Sequence, residues 1–546
     1  MRERSRAERI ALVVIASLAV VALIAGNRVF SFMCDDAYIA FRYVSSRQLG
    51  WGYTWNPPPF APVEGYTSFA WVVLLDLVWT VTGIEPPDAV GPIQLACSLG
   101  SLALLFGLAL RLPLSASYER YRVLWVGLAM AAVVSNRTFL TWTTSGLETS
   151  LWTLVVLGWT AAGLRATPAS TRSLTAWTGL AALSALVRPD GLLLCAASGA
   201  GILLVGARRP RALGALLPFG VPVVHLLWRY ATYGAWVPNT YTAKHVGAWP
   251  EAGWYYLRSF LLEYAVVLWP LLALVAVVQL LRRPREIALV PAITVAALVA
   301  HLAYYTFDVG GDHFEYRIYH HAVGLLAVSF AFVADRAGVP ARAGLLAFTL
   351  TIAASVPIPW THWHYTHTIV VMHQQGMPHY EIAKHFPAWI RPIPQYWDEL
   401  QGWMLGRFVG LRHQSHVNYV ADQRRVWPSR AVGLALPSDP GDRPVIVESG
   451  VGMPGWTLPT FAVIDGRGLN DLVVARNPPK ARKDGKRLMA HDRVPPPGYV
   501  RCFRPNVKAG KDGTVRVVPR PSPLTPDEIV ECETTFLRRL QDAELR

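Results

Sequence analysis

Eleven apolar stretches divide the first two thirds of the chain, and nothing else in it constrains the fold as strongly. They cover roughly 10–26, 91–110, 123–140, 147–164, 173–187, 191–207, 212–228, 259–281, 286–305, 318–334 and 342–358. A bilayer crossing takes about 20 mainly apolar residues, so most of these suffice, while 173–187 is short. Within a bilayer, backbone N–H and C=O groups must pair inside the segment, and a helix achieves that. Only 16% of the 546 residues are charged, against about 25% in an average soluble domain. That shortage excludes a disordered or collagen-like chain and points to a polytopic α-helical membrane protein.

The formal net charge of +15 takes its meaning from where the basic residues sit. A basic segment, Arg2 to Arg9, precedes the first stretch, which lacks a small-residue cleavage site and reads as an anchored helix. One further run, 68–83, is ambiguous because Asp76 interrupts it. If it crosses, the arginine-rich loops fall on the far side. If it lies at the interface, 111–122, 165–172, 208–211, 282–285 and 335–342 all join the N-terminus in the cytoplasm. The second arrangement gives about eleven transmembrane helices over 1–358 in the plasma membrane. It leaves 359–546 as an extracytoplasmic mixed α/β domain, suited to binding an acceptor. The charge then needs no nucleic acid to explain it.

The outer loops of this topology hold the chemistry. Asp35-Asp36 follows the first helix, and a helix continuing from them favours carboxylates at its N-terminal end. The pair suits a base that removes a hydroxyl proton, or a divalent cation with phosphate; interfacial solvation is the plainer alternative. Lys244 is the first lysine in a chain that otherwise uses arginine up to residue 384, which suggests a point charge holding a phosphate. Asp312, His313, Glu315 and Arg317 read as a phosphate or sugar site or as a local ion-pair cluster. Arg188-Pro189-Asp190-Gly191 is a helix-joining turn or part of a site, and Glu148 is a helix-start charge or a site acid. Trp55, Glu64, Tyr66, Asn239, Tyr241 and His245 lie in the same loops. No Walker loop, dinucleotide fingerprint or zinc-protease helix is present.

The segment after 358 opens with His362, His364 and His367 among Trp and Tyr, which reads as an interfacial belt more than a metal site; His373, His379 and His385 follow. Val445–Val447, Phe461–Ile464 and Val515–Val518 read as strands, with helices near Pro387 and after Pro526. The basic stretch Lys480–Arg487 reads as a solvated loop, with contact to an acidic glycan or lipid as the alternative. Cys502 and Cys532 both fall in this outer part, where a disulfide is permitted.

Asp35-Asp36-Ala37-Tyr38-Ile39-x-Phe41-Arg42-Tyr43, Trp55-Asn56-Pro57 and Glu64-Gly65-Tyr66-Thr67 resemble polytopic GT-C glycosyltransferases. The resemblance is closest to the mycobacterial terminal β-(1→2) arabinofuranosyltransferase family. Ser145-Gly146-Leu147-Glu148, Arg188-Pro189-Asp190-Gly191, Pro238-Asn239-Thr240-Tyr241-x-x-Lys244, Gly310-Gly311-Asp312 and Asp465-Gly-x-Gly468-Leu469-Asn470-Asp471 look like its later motifs. The resemblance implies a polyprenyl-phosphate donor, decaprenylphosphoryl arabinofuranose, and an arabinan acceptor in arabinogalactan or lipoarabinomannan. It also implies that an aspartate of the first outer loop, Asp35 or Asp36, is the catalytic carboxylate.

The residues fit such a donor independently, with no nucleotide required. Arg42, Lys244, His245 or Arg317 would stabilise the departing phosphate, and Trp55 and Tyr66 would stack on sugar rings. Glu64, Glu148, Arg188, Asp190, Asn239, Tyr241, Asp312 and His313 would line the substrate. Related alternatives are a transferase for another lipid-linked sugar such as mannose, and a polyprenyl-glycolipid transporter. A transporter places ionisable groups near the bilayer midplane, whereas here they cluster at one end.

Overall fold

The computed structural model describes residues 4–245, 247–283, 288–369, 379–479, 485–510 and 512–544. His373, residues 480–484 of the basic stretch, the loop residues 284–285 and the N-terminal residues 1–3 lie outside the described residues. The first helix, Arg6–Val29, opens on a capping box in which Ser5 and Glu8 exchange hydrogen bonds of 2.8 and 3.1 Å. Val13, Leu18 and Val21 on this helix are exposed, as side chains facing lipid are.

Among the described residues, six helices are long and apolar enough to cross a membrane: Arg6–Val29, Pro86–Ala109, Pro210–Tyr233, Leu289–Val309, Arg317–Arg336 and Ala341–Thr366. A bent pair makes a seventh when counted as one span. The chain is therefore a polytopic helical membrane protein. Shorter helices, Arg122–Ser135, Thr149–Arg165, Thr171–Val187 and Gly191–Gly206, pack among these. Length and composition alone carry six or seven of the eleven expected crossings.

Two expected spans are broken. The stretch 259–281 is divided between Pro250–Glu263 and Leu268–Leu281, which meet at 101°. Ala265 lies there at φ +52°, and Glu263 is held by Arg412 at 2.8 Å, so the first helix is fixed by a buried charge. The stretch 123–140 breaks at Asn136, whose side chain caps a second helix, Arg137–Trp142, by accepting the Phe139 N–H at 2.9 Å. The ambiguous run forms a helix of only 14 residues, Phe69–Thr82, ended by Gly83 at φ +74°. At 1.5 Å per residue it spans about 21 Å, short of a hydrocarbon core of about 30 Å. Asp76 accounts for its position: it accepts hydrogen bonds from Gln48 and Tyr53, both at 2.7 Å, and pairs with Arg47 at 3.1 Å.

The N-terminal segment and the basic loops 111–122 and 335–342 meet at one end of the bundle. Arg4 reaches the Leu110 carbonyl, Ser115 bonds Asp335, and Arg342 bonds the Tyr121 hydroxyl. At the other end, Gln94 bonds the Leu147 carbonyl at 2.6 Å. Gln94 and Ala109 belong to one helix, so roughly 22 Å separates the two ends.

Beyond 359 the chain is mixed. Val445–Glu448 pairs in parallel with Ala462–Asp465, and Val507–Ala509 pairs antiparallel with Val515–Val517; all but Val507–Ala509 lie at expected strands. Helices Pro392–Leu405 and Pro526–Glu544 follow the expected prolines. Cys502 and Cys532 are bridged, with Cα atoms 6.0 Å apart. The histidines 362 and 364 lie on a helix, Pro357–Thr366, and Trp360 and Trp363 of that helix pack on Phe30.

Candidate active site

A helix begins at Asp35 because the preceding Cys34 is extended and the two carboxylates complement its N-terminal end. Successive helical residues point about 100° apart, and this separates the pair. Asp35 turns toward the tail, accepting the N–H groups of Gly452 at 3.0 Å and Met453 at 2.9 Å. Burial, and next to it the charge of Asp36, push Asp35 up to about 7 despite those two hydrogen bonds. A Cβ on Gly452 would lie 1.9 Å from the Asp35 carbonyl oxygen, so only glycine permits this approach. Glu448, also up at about 7 through burial and the charge of Asp35, stands behind it.

Asp36 faces a cavity of about 240 Å³. Among the described residues its carboxylate has no hydrogen bond or ion pair. The cavity draws its walls from every motif-bearing loop: Tyr66, Glu148, Arg188, Asp190, Tyr241, Lys244, His245, Asp312, His313 and Arg317 all line it. These residues are up to 281 positions apart in sequence, and packing of the helices brings them to one end.

Most of the charges on this wall are paired. Arg188 contacts Glu148 at 2.7 Å and Asp190 at 3.0 Å, and donates to the Tyr305 hydroxyl at 2.7 Å. Asp190 also meets His301 and the Tyr305 hydroxyl, both at 2.9 Å. Burial acts to raise Asp190, but Arg188 beside it, with His301 and Tyr305, holds it well below the usual carboxylate range. Arg317 grips Asp312 at 2.8 and 3.1 Å and lies over the Phe314 ring. His313 is kept from protonation by burial and by His491, His416 and Lys244 nearby. The Phe408 carbonyl, 3.0 Å from His313 Nδ1, places the ring's proton on that nitrogen. Lys244 alone of the expected phosphate ligands that line the cavity has neither an ion pair nor a hydrogen bond among the described residues, apart from the exposed His245 stacked on Tyr241.

Five expected site residues do not line the cavity, and each has another bonding pattern. Besides Asp35, Arg42 is fully buried and donates to the carbonyls of Trp55, Gly455, Leu458 and Phe461 at 2.7–2.8 Å. Trp55 lies under that guanidinium and donates to the Val463 carbonyl at 2.8 Å. Glu64 is buried against Arg229 at 2.6 Å. Asn239 donates its amide to the carbonyls of Gly468, Leu469 and Asp471, which holds the Asp465–Asp471 motif beside the cavity.

Sequence reasoning missed Arg487. It ends the stretch expected to be a solvated loop, yet it lines the cavity. Its guanidinium donates to the Gly247 carbonyl at 2.7 Å and lies 4.7 Å from the Trp249 ring centroid, with no carboxylate partner among the described residues. Met489 and Ala490 line the wall beside it, and the loop is tied down where the Met489 N–H meets the Arg407 carbonyl. Its basic composition alone does not distinguish it from an ordinary solvated loop. Tyr304 and Tyr305 were likewise hidden inside an apolar stretch.

Among the described residues no group of three or more His, Cys, Asp or Glu side chains is placed to hold a metal ion. Asp35 and Asp36 diverge, and both Asp35 oxygens already accept backbone N–H groups.

The fold and site together define a membrane protein with a charged, water-accessible cavity at one end of its bundle. No protein-family model matches the chain. The resemblance read from its motifs is supported by a curated relative, the terminal β-(1→2)-arabinofuranosyltransferase of Mycobacterium tuberculosis (strain ATCC 25618 / H37Rv). It is 32% identical over 255 residues, 43% of this chain and 38% of the relative, so the match spans well under half of either protein. Among solved structures, ArnT from Cupriavidus metallidurans, crystallised with undecaprenyl phosphate, has a TM-score of 0.49 at 13% identity, covering 83% of this chain and 85% of that one. Arabinosyltransferase EmbB from Mycobacterium smegmatis has a TM-score of 0.38 at 13% identity, covering 78% and 43%.

Proposed function

We propose that the chain is a GT-C-type membrane glycosyltransferase. In this reading it moves arabinofuranose from a decaprenyl-phosphate donor to an arabinan of the cell envelope. The basic end of the bundle lies in the cytoplasm, and the cavity and the residues beyond 359 lie outside. The observation that carries the reading is the charge pattern of the cavity. One carboxylate without a partner, Asp36, shares it with two cations that have no carboxylate, Lys244 and Arg487.

The chemistry that fits this pattern balances without a nucleotide or a metal. An acceptor hydroxyl oxygen forms a bond to the anomeric carbon of the donor sugar, and Asp36 takes the hydroxyl's proton. The bond from that carbon to the phosphate oxygen breaks, and its electron pair leaves with the polyprenyl phosphate. Lys244 and Arg487 hold the charge that develops there. Arg188 and Arg317 are already neutralised, so they orient the surrounding wall. Asp35 is a positioning residue, fixing the start of the helix that carries Asp36. Tyr66 and Tyr241 offer ring faces to the sugars.

The test is transfer by the purified full-length protein from synthetic decaprenylphosphoryl arabinofuranose to an arabinan acceptor. Transfer is expected, and Asp36→Asn is expected to reduce it by about 100-fold or more. Full activity in Asp36→Asn would overturn the assignment of the base. Binding of the lipid without transfer from an arabinose or mannose donor would favour a transporter.

A further inference from the structure

The segment before and into the helix Pro392–Leu405 has two unlike faces. Its inner face is built from Ile382 and Trp397, both fully buried, which pack with Ile358 and Leu262. Ile358 belongs to the membrane-crossing run Ala341–Thr366, and Leu262 lies one residue before the end of Pro250–Glu263, where the chain turns by 101° into Leu268–Leu281. The segment is thus seated on two membrane elements near their ends. Its other face carries Trp389, in the turn just before the helix, and Ile393 and Tyr396, three residues apart and so on one side of the helix.

These three side chains are 83%, 49% and 42% exposed. Trp389 is as exposed as Leu217 (82%), which lies within the membrane-crossing run Pro210–Tyr233. Leaving an indole, an isoleucine and a phenol in water forgoes the burial of their apolar surface. The surrounding chemistry is that of a bilayer boundary. Arg258 donates to the Tyr396 hydroxyl at 3.3 Å, Arg391 bonds the Phe386 carbonyl, and Lys384 lies over the Tyr380 ring. Exposed Trp254 and Phe307 stand on neighbouring elements, their rings 6.1 Å apart. Tryptophan and tyrosine with basic neighbours are what the headgroup level of a membrane selects.

We propose that Pro387–Tyr396 is a membrane-interface anchor through which the region beyond 359 returns to the bilayer, with Trp389, Ile393 and Tyr396 seated among phospholipid headgroups and upper acyl chains. The region is then held to the membrane at a second place, beyond its covalent connection at Ala341–Thr366. This inference needs no particular enzymatic activity. It rests on the membrane helices and on one exposed face.

The test uses the full-length protein in phosphatidylcholine–phosphatidylglycerol nanodiscs, in a Cys195→Ala background. The remaining free cysteines, Cys34 and Cys97, are buried. Bimane is attached at Trp389→Cys, at Ile393→Cys and, as a reference, at exposed Lys508→Cys on a strand of the same region. Doxyl-labelled phospholipid is expected to remove most of the emission at 389 and 393, while aqueous iodide quenches 508. Iodide quenching at 389 and 393 equal to that at 508, without a doxyl effect, overturns the proposal. Shielding from both quenchers, with cross-linking between copies at 389, also overturns it and assigns the face to a second copy.

Discussion

Asp35 and Asp36 are neighbours in sequence and differ in circumstance because helical geometry turns one to the tail and the other to the cavity. Asp35, raised to about 7 chiefly by burial, keeps a proton in the folded protein at pH values where the unfolded chain has released it. Its contribution to stability is therefore fully present below about pH 4 and is lost as pH rises through about 7. The melting temperature of the wild type, relative to Asp35→Asn, is expected to fall between pH 5 and 8; a difference that stays flat would place the titration elsewhere. Lys244→Gln and Arg487→Gln each remove one cation from the cavity wall, and under the proposed reaction one that faces the departing phosphate. Both are expected to raise the donor KM and lower kcat/KM by about tenfold or more, equivalent to about 1.4 kcal/mol or above, in steady-state transfer assays. Asp36 and Lys244 were legible in the sequence because their residue types were unusual for their place. Arg487 was not, since a basic loop looks the same whether it is solvated or folded over a cavity.

At the scale of elements, the bend at 263–268 and the loop carrying Arg317 share a buried ion network. Arg412 binds Glu263 at 2.8 Å and approaches Glu315 at 3.3 Å, and Glu315 also pairs with Arg137. All four side chains are buried. Removing one member leaves an opposing charge without compensation, which costs about 3–5 kcal/mol. Glu263→Gln is thus expected to lower the melting temperature by several degrees, whereas Glu528→Gln, in a partly exposed pair with Arg504, is expected to leave it nearly unchanged. Equal losses in thermal denaturation would show that the buried network is not structural. The helix ends were largely readable because Asn, Pro and Gly mark them locally. The bend was not, because Tyr264 and Ala265 carry no breaker signal; its cause is a partner, Arg412, 149 residues away.

For the whole molecule, the region beyond 359 and the first loop form one packed unit. The disulfide between Cys502 and Cys532 closes a 30-residue separation, and chain-entropy arguments assign it about 3–4 kcal/mol. It supports the helix Pro526–Glu544, whose Glu533 accepts the Ala61 N–H at 2.9 Å. A reductant is expected to lower the melting temperature of the wild type and leave a Cys502→Ser, Cys532→Ser double variant unchanged. Three of the four strands were legible as short β-branched runs; Val507–Ala509, with a lysine at its centre, was not. Their attachment was not, because Arg42 and Asn239 bond to backbone carbonyls, and a carbonyl leaves no trace in a residue code.

The four carbonyls around Arg42 set an order of events during synthesis. One comes from residue 55, while Gly455 lies 413 positions further along the chain than the arginine. At about 5–20 residues per second, roughly 20–80 s pass between synthesis of the two. Throughout that interval a guanidinium destined for full burial has only part of its final set of acceptors. The first loop must wait beside the membrane, open to water or to a chaperone, until the chain from 452 to 461 joins it. A ribosome that stalls before then leaves the helices threaded through the bilayer and the cavity unfinished.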